Sequence, residues 1–316
     1  MDGPTEAAQI ALLGGEVRTR LLPTARALRP AEAAELLRLR LDEPVRVSRR
    51  PNLHVVSPPR LTGVDCALPT DDGSKVRGIG TVISCAAVTE GHVLQVNAYT
   101  GVTAAGPDAR RPWGHYLSRP GVTEPLGKLP EPATARGFLA GSRDTGLDPG
   151  LLAEALLTEV LRQPLPEPAE ALPAPRTRLR WVALRAAEAD RPRLERFTLE
   201  EDGLRTVELR LPDGAVPREV AAFCADLALH DWLLTTLIQL LDDHPPDAPA
   251  ATAGRVLRAA VDHLLHLWMP GARVAAPLAG LWEVLERTPG FTRQWQSLAQ
   301  RVRDRAARTP PGGPSP

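Results

Sequence analysis

The stretch that most constrains this chain runs from Pro217 to Trp268, where two apolar helical patterns follow one another. In PREVAAFCADLALHDWLLTTLIQLLDD, residues Val220, Phe223, Cys224, Leu227, Leu234, Leu237, Ile238 and Leu241 recur at steps of three, four and seven, the period of one helix face. In GRVLRAAVDHLLHLWM the same period is kept by Leu257, Ala260, Val261, Leu264, Leu265 and Trp268. Each stripe leaves a face that only a packed neighbour keeps dry. The pair therefore predicts a core in which Leu234, Leu237, Ile238, Leu264, Leu265 and Trp268 meet. Two further helices are predicted in PLAGLWEVLER and GFTRQWQSLAQRVRDRAA.

Strand signals dominate upstream. EVRTRLL, from Glu16 to Leu22, alternates as a half-buried strand does, and Pro30 opens the helical run AEAAELLRLRL where a first turn tolerates proline. PVRVSRR and LHVVS are short strand candidates fenced by Pro44, Pro51 and Pro58. The clearest hairpin is VRGIGTVISCAAVTEGHVLQVNAYTGVTA, with its turn around Thr89, Glu90 and Gly91. Past that turn Val93, Gln95, Asn97 and Tyr99 alternate with Leu94, Val96 and Ala98. Short helices follow in ATARGFLAG and in DPGLLAEALLTEVLRQ, where Asp148 can cap and Pro149 can take the first turn.

Residues 163–176, QPLPEPAEALPAPR, hold five prolines and read as an interdomain linker. LRWVALRAA, RLERFTLEE and LRTVELRLPDG then read as a three-stranded meander. The expected class is α+β: an N-terminal mixed domain with antiparallel strands over 1–162, the linker, and a small three-stranded antiparallel meander plus helical bundle over 177–308. A disordered tail is expected over 309–316. A chain of 316 residues with 43% apolar content can bury such cores without staples.

Charge and cysteines narrow the function classes. Thirty-eight basic residues balance 38 acidic ones, which gives no bulk electrostatic reason to expect nucleic acid or an anionic membrane. Only Lys75 and Lys128 among the basic residues are lysine, and with 33 prolines this matches codon bias in a high-GC genome. The arginines are spread along the sequence. Cys66, Cys85 and Cys224 form no CxxC pair, the N-terminus lacks a basic n-region, and no segment approaches the ~20 apolar residues of a membrane span. A cytoplasmic protein is expected. GIG at 78–80 lacks the spacing of a dinucleotide loop, and neither GxxxxGK[ST] nor GxSxG occurs. No catalytic residue, cofactor or metal site is assigned.

Two weaker candidates remain. The first is RRPWGHYLSRPG, where Trp113 and Tyr116 offer stacking faces, His115 a titratable group, and Arg111 and Arg119 anion contacts suited to a nucleotide or phosphate-bearing ligand. The same residues also suit a core edge covered by aromatics. An enzyme reading would join this loop to His92 or Cys66 in one cavity. The second is a protein-interaction surface. Trp232, Trp268, Trp282 and Trp295 are four of the six tryptophans, and Trp232 and Leu233 lie off the main stripe of their helix. Phe291 and Trp295, with Leu298, mark a further face in the last helix. His230, Asp231, His263 and His266 fit structural groups better than metal ligands, since no ExxH stands near them, and one of His230 and Asp231, where the apolar stripe skips, suits a buried polar group.

RLTGVDCALPT (60–70), RRPWGHYLSRPG (110–121), LALHDWLLTTL (227–237), DHLLHLWMPGARV (262–274) and ERTPGFTRQW (286–295) resemble a family of actinobacterial, Streptomyces-type proteins of unknown function. Some of these are encoded beside a protein with a variant P-loop. The resemblance implies a non-catalytic, protein-binding or regulatory component of a cytoplasmic multi-protein system, with that P-loop-type protein a candidate partner. It assigns no catalytic residue.

Overall fold

The computed structural model describes residues 9–308 except 41, 142–145, 170, 187, 201–202 and 246–249. The expected disordered tail lies outside them, as do Glu201 and Asp202, where the second and third strands of the expected meander meet.

The organising element is a ten-stranded mixed sheet. Its strands are β1 (Ile10–Leu21), β2 (Arg46–Ser48), β3 (His54–Val56), β4 (Arg60–Ala67), β5 (Arg77–Thr89), β6 (Val93–Thr103), β7 (Val122–Pro125), β8 (Thr177–Arg185), β9 (Arg193–Leu199) and β10 (Leu204–Leu211). They run in the order β2-β3-β5-β7-β6-β1-β8-β10-β9, with β4 on β5 and β5 also paired to β6. Most pairs are antiparallel, whereas β6–β7 and β8–β10 are parallel. In the three-residue β5–β6 turn both Glu90 (φ 47°) and Gly91 (φ 67°) take the left-handed conformation that reverses the chain tightly.

The class is α+β, but the two halves share one sheet. β1 pairs with β6 on one side and β8 on the other, so 163–176 links elements of a single sheet. That segment is also tied down: Pro168 bridges Thr24, and Leu172 is buried. The expected meander is corrected too. β8 lies next to β10, parallel to it, and β9 is displaced to the edge. β9 is the most exposed of the three, and its Arg193, Glu195 and Arg196 suit an edge, where charge discourages pairing with another chain.

Helices cover both faces. α1 (Pro30–Leu36), α3 (Glu131–Ala140) and α4 (Pro149–Leu161) close one core with Leu12, Val88, Leu94 and Val96. Asp148 caps α4 by accepting from the Gly150 N–H at 2.7 Å. α2 (Trp113–Leu117) is a single turn. On the opposite face lie α5 (Pro217–Asp243), α6 (Ala250–His263), α7 (Ala279–Arg287) and α8 (Phe291–Arg308), packed on Val17, Leu179, Trp181 and Val207. The helical pattern read through Met269 stops at His263 and continues as a 3-10 turn over Leu265–Leu267. Leu234, Leu237, Leu264 and Leu265 are buried as expected, but Ile238 is 43% exposed. Contrary to the expectation of no such segment, α5 is long and apolar enough to cross a membrane by length and composition, with 78% of that stretch buried inside the fold.

Candidate functional site

An open cleft of about 700 Å³ lies between the sheet and the first turns of α5. Its floor is set by strand register. Arg46 of β2 stands opposite Val56 of β3, Val56 opposite Ala87 of β5, and Ala87 opposite Gln95 of β6. Two further cross-strand pairs, Cys85 with Asn97 and Ile83 with Tyr99, extend the same face. Pro44, Pro58, Pro59 and Glu43 form the outer rim, and Glu43 is paired with Arg40 at 2.9 Å.

The opposite wall is one face of α5: Arg218, Ala221, Ala222 and Ala225, spaced at three, four and seven. Alanines let the helix approach the strands closely. The approach is fixed by amide side chains of β6: Asn97 Nδ2 donates to the Ala221 carbonyl at 2.8 Å and Gln95 Nε2 to the Ala225 carbonyl at 2.9 Å. A helical carbonyl has a second lone pair, so these bonds do not compete with the helix ladder. Gln95 Nε2 also lies 3.1 Å from Thr19 Oγ1 on β1. Farther along β1, a Cβ on Gly15 would stand 2.6 Å from the Trp181 ring, so glycine there makes room for the indole beside Tyr99.

Electrostatics give the cleft a clear character. Arg46 and Arg218 are exposed and have no acidic partner among the described residues. Burial, then the charges of Arg273 and Arg46, hold the His54 imidazole down at about 4. Burial pushes the Cys85 thiol up against the opposing pull of Arg46. Burial likewise pushes the Tyr99 hydroxyl up to about 12, opposed by Arg218. His54, Cys85 and Tyr99 are therefore all neutral at pH 7, and the cationic field on them comes from the arginines. Asn97 Oδ1, on a residue only 6% exposed, has no hydrogen-bond partner among the described residues. Its Nδ2 bond to a carbonyl fixes which way the amide faces.

The loop singled out in the sequence lies elsewhere and does a different job. Its residues do come together, but none of them lines the cleft. Tyr116 is buried, with its hydroxyl accepting from the Arg111 N–H at 3.0 Å. His115 Nε2 lies 3.0 Å from Glu124 Oε1, and Arg119 also pairs with Glu124, a buried residue of β7. Trp113, 37% exposed, lies over Gly63 of β4, with the Arg110 guanidinium 5.4 Å from its ring. These contacts strap the loop onto β4, β5 and β7. Cys66 sits on β4 and His92 in the hairpin turn against His263, 4.4 Å between ring centroids, so the group imagined for catalysis is scattered.

The expected interaction surface is interior. Trp232, Leu233, Phe291 and Trp295 are all buried within the chain. Trp232 Nε1 donates to the Pro175 carbonyl at 2.8 Å, and Trp295 stacks on Trp268 at 4.6 Å. The sheet itself covers the second face of α5, which helix periodicity alone could not supply. His230 is a buried structural group: Nδ1–H donates to the Asp226 carbonyl at 2.7 Å and Nε2 accepts from the Met269 N–H. Asp226 accepts from the Gly271 N–H and from Trp282 Nε1, which clasps the segment after α6 onto α5. Asp231 pairs with Arg205 of β10 at 2.6 Å, and burial pushes its carboxyl up to about 6. Among the described residues no cluster of histidine, cysteine and carboxylate side chains could hold a metal ion.

No protein-family model, curated protein or solved structure matches this chain.

Sequence reasoning missed the cleft because its residues come from β2, β3, β5, β6 and α5, and no two of those segments form a motif. One signal was present: Gln95, Asn97 and Tyr99 alternate with apolar residues in a strand followed by further apolar sequence.

Proposed function

We propose that this chain is a non-catalytic binding component that captures a small, largely apolar molecule in the cleft between β3, β5, β6 and α5. The carrying observation is the cleft, about 700 Å³ and within the ~300–1,000 Å³ range of small-molecule sites. The state of its titratable groups supports binding over turnover. A thiol pushed up, a phenol at about 12 and an imidazole at about 4 leave neither an activated nucleophile nor a base poised near neutrality. The test uses the neutral fluorophore N-phenyl-1-naphthylamine. Saturable binding by the full chain, abolished by Ala222→Trp, is the expected result; binding untouched by that substitution overturns the reading.

Action on a protein partner in the cytoplasm is the second reading, with a P-loop-type protein the candidate suggested by the resemblance. One observation favours it. Ile238, 43% exposed, borders a shallow groove of about 440 Å³ with Pro289 and Leu298. A pull-down with purified candidate partner, lost on Ile238→Asp, would support this reading; retention unchanged by the substitution would count against the groove.

A further inference from the structure

The chemistry of the cleft's lining narrows the class of ligand, provided the small-molecule reading holds. Its apolar surface comes from Val56, Ile83, Ala87 and the alanine face of α5. Such a lining favours an alkyl or aryl body over a sugar or nucleotide, whose hydroxyls it would strand. The two arginines are the next constraint. Arg46 and Arg218 rise from different walls, on β2 and α5, and neither has an acidic partner among the described residues. The one carboxylate on the rim, Glu43, is already paired with Arg40. The lining therefore holds two uncompensated positive charges against one compensated negative charge.

We infer that the cleft binds an amphipathic anion: an apolar chain or ring seated against the alanine face of α5, with an anionic end met by Arg46 and Arg218. Fatty acids and N-acyl amino acids have this chemistry. Arginine suits the anionic end because its planar fork can donate two parallel bonds to a carboxylate. The cationic field that Arg46 places on His54 and Cys85, and Arg218 on Tyr99, reaches the same floor.

The test is calorimetric titration of the full chain with two probes: N-decanoylglycine, which carries the carboxylate, and N-decanoylglycinamide, which replaces it by a neutral amide. The wild type is expected to prefer N-decanoylglycine by about tenfold. Arg46→Gln with Arg218→Gln removes that preference, so that the two probes bind alike. Both arginines are exposed, so that variant should fold, and a circular dichroism spectrum verifies it. Binding that is blocked by Ala222→Trp yet blind to charge in the wild type overturns this inference and leaves the cleft reading standing. No saturable binding of any probe overturns both.

Discussion

The two faces of β6 are both buried, but by different means. Toward α4 the strand presents Leu94, Val96, Ala98 and Val102, all buried among aliphatic neighbours. Toward α5 it presents Gln95, Asn97 and Tyr99, and the helix above them is held by hydrogen bonds from the two amides. The first face is filled; the second is spaced, and the cleft is the space left where α5 passes over the strands. Alternating polar residues in a strand are usually read as facing solvent. Here they face a helix, whose backbone carbonyls accept from the two amide nitrogens as water would.

The largest expected effect lies on the filled face. Leu94→Ala should cost about 2–5 kcal/mol, because surrounding side chains cannot fully collapse into the gap. Cys85→Ala, on a residue bordering an open cleft, should cost less than about 1 kcal/mol, since it creates no closed cavity. Urea denaturation of both variants checks the contrast; equal losses would mean the cleft face is as tightly filled as the other.

On α5 itself, the cleft-facing alanines contrast with the clasp made by Asp226, next to Ala225 on another face of the helix. Asp226→Ala leaves the Gly271 N–H and Trp282 Nε1 without their acceptor and should cost about 2–4 kcal/mol. Asp226→Asn keeps an acceptor and should lose clearly less. A similar loss in both would point to the charge, not the acceptor, as what matters.

The pH dependence separates the faces in another way. His54 lines the cleft with its imidazole held at about 4, against 6.5 for the free group. As pH falls from about 6.5 to 4 the unfolded chain takes up a proton that the folded chain refuses, so stability drops by up to about 1.4 kcal/mol per pH unit and is flat above that window. His92, held at about 4 by burial with His263 and His266 beside it, adds a slope of the same sign. Asp231, pushed up to about 6, works the other way: between about 6 and 4 the folded state takes the proton first, which partly offsets the loss. Thermal melts across pH 4–7 should therefore show a decline on acidification that His54→Gln makes shallower; an unchanged profile in that variant would show that His54 is not desolvated.

The smallest effect is expected at the strap. Trp113→Ala removes a ring packed over Gly63 and should cost less than about 1 kcal/mol, with no change in probe binding. A loss of probe binding in that variant would return the site to the loop.

Much of the local structure was legible from the sequence. The limits of α5, the Asp148 cap of α4 and the Glu90–Gly91 turn are properties of short segments: apolar period, a side-chain oxygen before a first turn, a glycine tolerant of positive φ. The site was less legible. RRPWGHYLSRPG is rich in the residue types that make sites, yet those types also pin a loop to a sheet, and Glu124, seven residues on from Leu117, is what claims its histidine and arginine.

What the sequence determined by itself was therefore most of the elements, though not β4 or β7, and the apolar period of each, because side-chain periodicity is fixed by φ and ψ along the chain. Only the tertiary structure decided that β8 pairs with β1 and, in parallel, with β10, so that one sheet serves both halves. It also decided that Trp232, Leu233, Phe291 and Trp295 face inward, and that Arg46, Asn97 and Arg218 line one cleft. Which strands pair and which helix covers which face depends on how distant segments together satisfy backbone hydrogen bonds and remove apolar area from water, and no local window of residues contains that information.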